Sequence, residues 1–240
     1  MKEAWKRTAA LIGAAAVEQL EHRSVILLGL GGVGSFACEV LARSGIGRLT
    51  LVDPDRVDAT NLNRQLPALH STLGEYKANV MARRVLDINP AAWVEPLIRF
   101  YGPETAAEFN LESYDYIVDC IDTVTSKLLL AQEAQRLKVP IISSMGTGNK
   151  LDPSQLEIAD LFQTSVCPLA RVMRRECRSR GIERLTVVYS KEQPIAPSNL
   201  DQTKGKAGRP APGSSPLVPP AAGILIASRV VTDLMRRADG

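Results

Sequence analysis

Ser24-Val-Ile-Leu-Leu28 runs into Gly29-Leu-Gly31-Gly32-Val-Gly34, and Phe36 to Ala42 follows with helical apolar spacing. A short apolar run bounded by glycines reads as a strand buried on both faces. The glycines let the chain turn sharply and bring backbone N–H groups to the start of a helix, where an anionic group is favoured. Arg48-Leu-Thr-Leu-Val52 reads as a second strand. Asp53 stands at its end, where such strand–turn–helix–strand units place a carboxylate against ribose hydroxyls. This arrangement points to a nucleotide and leaves its identity open; a close-packed glycine turn with no ligand is the alternative reading.

The same alternation extends outward. Glu3 to Glu21 has helical spacing, Tyr76 to Asp87 reads as a helix stopped by Asn89-Pro90, and Trp93 to Leu97 as a strand. Pro103 to Phe109 is expected to be helical, Tyr114 to Ile121 a buried strand, Thr125 to Lys138 a helix capped by Thr123 or Thr125, and Val139 to Ser143 a strand. Strands alternating with helices give an α/β fold, a doubly wound, Rossmann-like and mostly parallel sheet. The last third differs. Strands over Leu156 to Leu161 and Thr186 to Ser190 flank a basic helix, Leu169 to Arg180, and residues 195–220 are rich in Pro, Gly, Ser and Lys without hydrophobic period. That segment reads as a mobile loop or lid before a final helix, Ala221 to Arg237. The expected organisation is one domain over 1–240, with a nucleotide-binding core at 1–150 and a substrate-facing extension at 151–240.

With 240 residues, 45% hydrophobic and 23% charged, the chain can bury a full core, which excludes disorder throughout. A net charge of +3 does not by itself argue for nucleic acid; that inference needs basic residues gathered on one face. The four cysteines form no Cys-x-x-Cys pair and the N-terminus has no basic-then-apolar signal, so a cytoplasmic protein with reduced thiols is expected. No apolar run is expected to reach the roughly 18 to 20 residues of a membrane span, which excludes a transmembrane helix on length, and no membrane role is expected.

Which nucleotide binds is decided beyond the second strand. Asn61-Leu-Asn63-Arg64-Gln65 follows it, and Lys77 comes thirteen residues after Arg64. A dinucleotide needs little cationic help beyond backbone amides, whereas a triphosphate losing pyrophosphate develops charge that guanidinium and ammonium groups stabilise. Either cation alone would pass for a solvated surface residue. Asp122, after the fourth strand, lies at the carboxyl edge of the sheet, where a carboxylate can hold Mg²⁺ on phosphates; a helix N-cap is its alternative. Asp119, three residues earlier, reads as structural.

Taken together, Gly29-x-Gly31-Gly32-x-Gly34-Ser35, Asp53-x-Asp55, Asn61-x-Asn63-Arg64-Gln65, Lys77 and Asp119-x-x-Asp122 resemble the adenylation domain of ubiquitin-activating-like enzymes and of the bacterial activators of sulfur-carrier proteins. The resemblance implies Asp53 on the ribose, Arg64 and Lys77 on the phosphates of ATP, Asp122 on Mg²⁺, and Asn61 and Gln65 lining the site. Within that family, Ser143-Ser-Met-Gly146-Thr-Gly148-Asn149-Lys150-Leu-Asp152-Pro153, Pro168-Leu-Ala-Arg171 and Val187-Val188-Tyr189-Ser190 are similar to the tRNA threonylcarbamoyladenosine dehydratases, over nearly the whole chain. Those enzymes use ATP to activate a threonyl carboxylate on tRNA and close a ring with net loss of water. Cys167-Pro168-Leu169 stands where that family usually has Asp-Pro-Leu. The sulfur-carrier activators typically add two Cys-x-x-Cys pairs for zinc, which this chain lacks.

The resemblance further implies a homodimer and places Arg7, followed by Leu11-Ile12-Gly13, across the subunit interface. It also gives weight to Arg171, Arg174, Arg175 and Arg178 of the basic helix as tRNA phosphate contacts, where a solvated face is the plainer reading. A monovalent cation and a sulfur-transfer or redox protein stand as further candidates on which the sequence is silent. Three rival functions remain at this point: adenylation of a sulfur-carrier protein, an NAD-dependent oxidoreductase, and a nucleotide-binding module without turnover.

Overall fold

The computed structural model describes residues 3–196 and 212–236. Seven strands form one sheet, β1 (Ser24–Leu28), β2 (Arg48–Val52), β3 (Trp93–Leu97), β4 (Tyr116–Asp119), β5 (Ile141–Ser144), β6 (Leu156–Asp160) and β7 (Thr186–Ser190), in the order β3-β2-β1-β4-β5-β7-β6. Every pairing is parallel except β6 with β7. The helices are α1 (Lys6–Ile12), α2 (Ala14–Glu21), α3 (Gly34–Arg43), α4 (Lys77–Ile88), α5 (Val124–Leu137), α6 (Pro168–Ser179) and α7 (Val218–Arg236).

β1 shows why the sheet is covered on both sides. Val25 and Leu27 pack into a core with α3, α4 and α7, while Ile26 and Leu28 face Leu130 and Ala134 of α5. Alternate side chains of a strand point to opposite faces, so a continuous apolar run requires a layer on each. The winding reverses beside β1, between β2 and β4, and the carboxyl ends of these strands frame the crevice where ligands of open α/β sheets collect.

Several expected elements change at their edges. The first helix is split into α1 and α2 by Gly13, whose φ is 88°. The helix expected over Pro103 to Phe109 is a single 3-10 turn, Ala106–Glu108. There the Thr105 hydroxyl donates to the Phe100 carbonyl at 2.6 Å and accepts from the Gly102 N–H at 3.1 Å, a local bonding pattern that competes with helix formation. β4 is four residues long, shorter than the expected Tyr114 to Ile121, because Ile121 donates its N–H to the Asp119 carboxylate and leaves the ladder. Thr123 occupies the N-cap position of α5 without a side-chain capping bond.

The expected loop over 195–220 is overtaken at its end by α7, which starts at Val218 with Pro219 and Pro220 in its first turn. Residues 197–211, with Lys204, Lys206 and Arg209, lie outside the described residues, and so does any lid they would form. α7 is 19 residues long with a mean hydropathy of 1.3, long and apolar enough by those measures to cross a membrane, although Arg229 and Asp233 interrupt its apolar run. Half of it is buried, with Ala222, Ile226, Val230 and Leu234 packed in the core beside α3.

Candidate active site

The site is built on the turn between β1 and α3. Gly29 has a φ of 90°, and a Cβ at Gly34 would lie 1.8 Å from the Gly29 carbonyl oxygen. Neither position admits a side chain, so the helix start lies close against the strand end, an arrangement that favours an anion beside the turn. Asp53, only 4% exposed, holds this turn from the end of β2. One of its oxygens accepts the Leu30 N–H at 2.6 Å and the other the Asp55 N–H at 2.8 Å. Burial pushes the Asp53 carboxyl above the ordinary aspartate value, against the opposing pull of the Lys77 charge and these two N–H donors. Asp53 therefore shapes the loop as well as facing the cavity.

The segment after β2 is organised by side chain–backbone bonds. Asn61 is nearly buried; its side-chain oxygen accepts the Asp58 N–H at 3.2 Å, and its carbonyl accepts the N–H groups of Arg64 and Gln65. This turn is fastened to the glycine loop by the Ser35 hydroxyl, which donates to Gly31 O at 2.6 Å and accepts from Leu66 N–H at 3.3 Å. The Arg64 guanidinium donates to Thr60 O at 3.0 Å and to the Asn63 amide oxygen at 2.8 Å, and has no carboxylate partner among the described residues. Burial pulls its pKa below the ordinary arginine value. Lys77, at the first position of α4, is 6% exposed and its ammonium lies 3.2 Å from Asp55 Oδ2.

These groups surround a cavity of about 830 Å³. Gly29, Gly31 and Gly32 form one wall; Asp53, Asp55, Asn61, Arg64, Gln65 and Lys77 form the next; exposed Asp122 stands on the β4 side. Asp122 accepts the Thr123 hydroxyl at 3.2 Å, and the N-cap position of α5 is held by Thr123. Asp119 is fully buried, accepting from the Lys127 ammonium at 3.0 Å and the Ser143 hydroxyl at 2.5 Å, a structural pair behind the site.

Three expectations are corrected, for Gly34, Asn63 and the arginines of α6. Gly34 and Asn63 do not line the cavity: Gly34 provides close packing, and the Asn63 amide donates to Ser214 O at 3.0 Å. Arg7, expected across a subunit interface, is exposed on α1 and lies outside the cavity of its own subunit. The arginines of α6 do not form one free face. Arg174 is turned inward to the carbonyl and hydroxyl of Thr164, Arg178 lies 5.3 Å over the Phe162 ring, and Arg175 pairs with Glu176, while Arg171 is exposed.

The fold also brings in Tyr101, which no motif in the sequence marks. Tyr101, 2% exposed, lines the cavity with its hydroxyl lacking a hydrogen-bond partner, and Gln65 Oε1 is equally unsatisfied. Buried polar atoms without partners at a cavity wall are ready to meet a polar guest. The signal for Tyr101 was its place just beyond β3, at the carboxyl edge of the sheet. Lys150 and Cys167 line the opposite end, beyond β5 and at the start of α6.

A ThiF family model matches residues 5–237. The tRNA threonylcarbamoyladenosine dehydratase of Bacillus subtilis (strain 168) is 41% identical over 98% of this chain and 96% of its own length. The crystal structure of E. coli tRNA N6-threonylcarbamoyladenosine dehydratase, TcdA, in complex with ATP superposes with a TM-score of 0.88 at 33% identity, covering 99% of this chain and 98% of that one. The adenylyltransferase and sulfurtransferase MOCS3 of Drosophila yakuba matches 56% of this chain and 29% of its own length, at 34% identity. The glycine turn, the buried Asp53, the cations at Arg64 and Lys77 and the extent of these matches lead to one assignment: the chain belongs to the ThiF family, among its tRNA threonylcarbamoyladenosine dehydratases.

Proposed function

We propose that this protein is an ATP-dependent tRNA threonylcarbamoyladenosine dehydratase that works through an acyl-adenylate. The observation that carries the reading is the convergence of Arg64 and Lys77 on the cavity that the glycine turn opens, in a chain whose similarity to enzymes of that name is nearly full length. A carboxylate oxygen of the threonyl group attacks the α-phosphorus of ATP, the bond to the β-phosphate oxygen breaks, and pyrophosphate leaves. An atom of the carbamoyl group then attacks the acyl carbon and expels AMP, so the carboxylate oxygen departs with the nucleotide and the substrate has lost the elements of water. Arg64 and Lys77 stabilise charge on the departing phosphates, and the N–H groups of the glycine turn hold the remaining phosphate. Positioning both reactants in one cavity supplies much of the rate.

Mg²⁺ belongs to the same proposal. Asp122 offers one hard oxygen donor at the cavity, and one carboxylate with phosphate oxygens and waters is a usual setting for this ion. Bound there, Mg²⁺ would neutralise phosphate charge. The proposal places the protein in the cytoplasm as a homodimer in which exposed Arg7 completes the partner's cavity. Mixing Arg7→Ala with Lys77→Ala protein should then restore partial activity, and absence of rescue despite subunit exchange would remove Arg7 from the site.

Exchange of labelled pyrophosphate into ATP tests the adenylation step. It should depend on tRNA bearing threonylcarbamoyladenosine. Exchange supported by a sulfur-carrier protein and not by this tRNA would overturn the reading.

A further inference from the structure

The far end of the cavity, beyond β5 and β7, is assembled around a buried positive charge. Lys150 is 3% exposed and lines the cavity. Its ammonium donates to the carbonyl of Ser190, the last residue of β7, at 3.0 Å and makes no ion pair with a carboxylate among the described residues. The Coulombic neighbour Glu192 has its two oxygens turned to the N–H groups of Leu151 and Asp152, at 2.8 and 2.9 Å. Burial pulls the Lys150 pKa down, and the charge of Glu192 opposes it. A buried ammonium that makes no direct ion pair is costly, and an anion seated beside it lowers that cost.

The amino end of α6 meets the same space. Cys167, Pro168 and Leu169 line the cavity. Cys167 is the N-cap and makes no side-chain capping bond; Pro168 carries no N–H. The N–H groups of Leu169 and Ala170 donate to no acceptor among the described residues. They remain open in a twelve-residue helix whose dipole favours negative charge at that end. The turn before it is strained: Val166 is a β-branched residue with a φ of 60°, and Cys167 N–H donates to Ser165 O at 2.5 Å. Strain of this kind persists where the surroundings impose it, and it clusters at functional sites.

We propose that Lys150 and the open N–H groups of Leu169 and Ala170 form an oxyanion subsite, separate from the Arg64 and Lys77 cations, that binds a carboxylate or a phosphate group. A thiol at the N-cap leaves the subsite vacant for a guest; a carboxylate in its place would cap the helix, face Lys150 and fill it.

The test uses acetate and inorganic phosphate as probes in an otherwise anion-poor buffer, with binding followed by calorimetry and by the rise in Tm that binding to the folded state produces. Wild type and Arg64→Ala should bind one or both probes. Lys150→Gln, which keeps a donor for Ser190 O but loses the charge, should bind at least about tenfold more weakly, in line with a hydrogen bond to a charged group. Cys167→Asp added to Arg64→Ala should abolish the binding that Arg64→Ala retains and should raise Tm in the absence of probe, which keeps the test decisive if Lys150→Gln does not fold. Preference for acetate would mark a carboxylate guest, and preference for phosphate a phosphoryl one. Binding that is lost in Arg64→Ala, retained when Cys167→Asp is added to it, or absent from wild type, would overturn the proposal.

Discussion

Arg64 and Lys77 reach the same cavity by different means. Lys77 is buried at the first turn of α4 with Asp55 as partner, whereas Arg64 is held by Thr60 O and Asn63 within its own loop. Replacing either with Ala should reduce turnover by about 10²-fold or more, the scale of a lost transition-state contact, while circular dichroism shows an unchanged fold. A folded variant with near-wild-type turnover would remove that residue from the account. Both were legible in the sequence because the Asn61-to-Gln65 run and Lys77 sit at fixed distances beyond β2. Asp53 was only partly legible. Its place at the strand end was evident, but its bonds to Leu30 and Asp55 depend on how the glycine turn folds back. Tyr101 was missed because nothing local in its surroundings marks it, and Lys150, though part of the Ser143-to-Pro153 run, was given no role at the site; their burial at the cavity wall follows from the packing of distant strands.

At the scale of elements, α3 and α4 are joined by one ionic clamp. Glu39 accepts from Arg84 at 2.6 and 3.0 Å and from Arg43 at 2.9 Å. Burial opposes the Glu39 charge, yet the arginine hydrogen bonds outweigh it and hold the carboxyl below its ordinary value near 4.5. A carboxylate with a depressed folded-state pKa stabilises fully above its unfolded value and loses that contribution as pH falls through the folded one. Denaturant titrations should therefore show a shallower acid limb for Glu39→Gln than for wild type; identical limbs would show that the clamp does not contribute.

The basic helix is the element whose reading changed most. Helical spacing placed Arg174 with Arg175 and Arg178, but spacing cannot show that Arg174 turns back to Thr164. For tRNA contact the outward set is Arg171, Arg175 and Arg178. Replacing these three with Ala should flatten the salt dependence of tRNA binding by about two to three log–log units, at roughly 0.7 to 0.9 per phosphate. Arg174→Ala should leave that slope alone and lower Tm instead. An unchanged slope in the triple variant would move the tRNA surface off α6.

For the whole molecule, the doubly wound sheet and most of its strands could be read from alternating apolar runs and punctuating glycines, since those runs are buried on both faces and tolerate little else. The exceptions had local causes: Gly13 dividing the first helix, the Thr105 bonds reducing a helix to one turn, and α7 beginning three residues before its apolar spacing announces it. The cavity as a whole was not legible, because it joins the carboxyl ends of β1, β2, β4, β5 and β7 with the start of α6, segments far apart in the chain. The central claim concerns what reacts there. Incubation with ATP, Mg²⁺ and tRNA bearing threonylcarbamoyladenosine, followed by digestion and mass analysis of the nucleosides, tests it most directly. Conversion of threonylcarbamoyladenosine to a product lighter by one water is expected, with AMP and pyrophosphate formed in equal amount and nothing formed without ATP. An unchanged modified nucleoside in the presence of active, ATP-binding protein would contradict it.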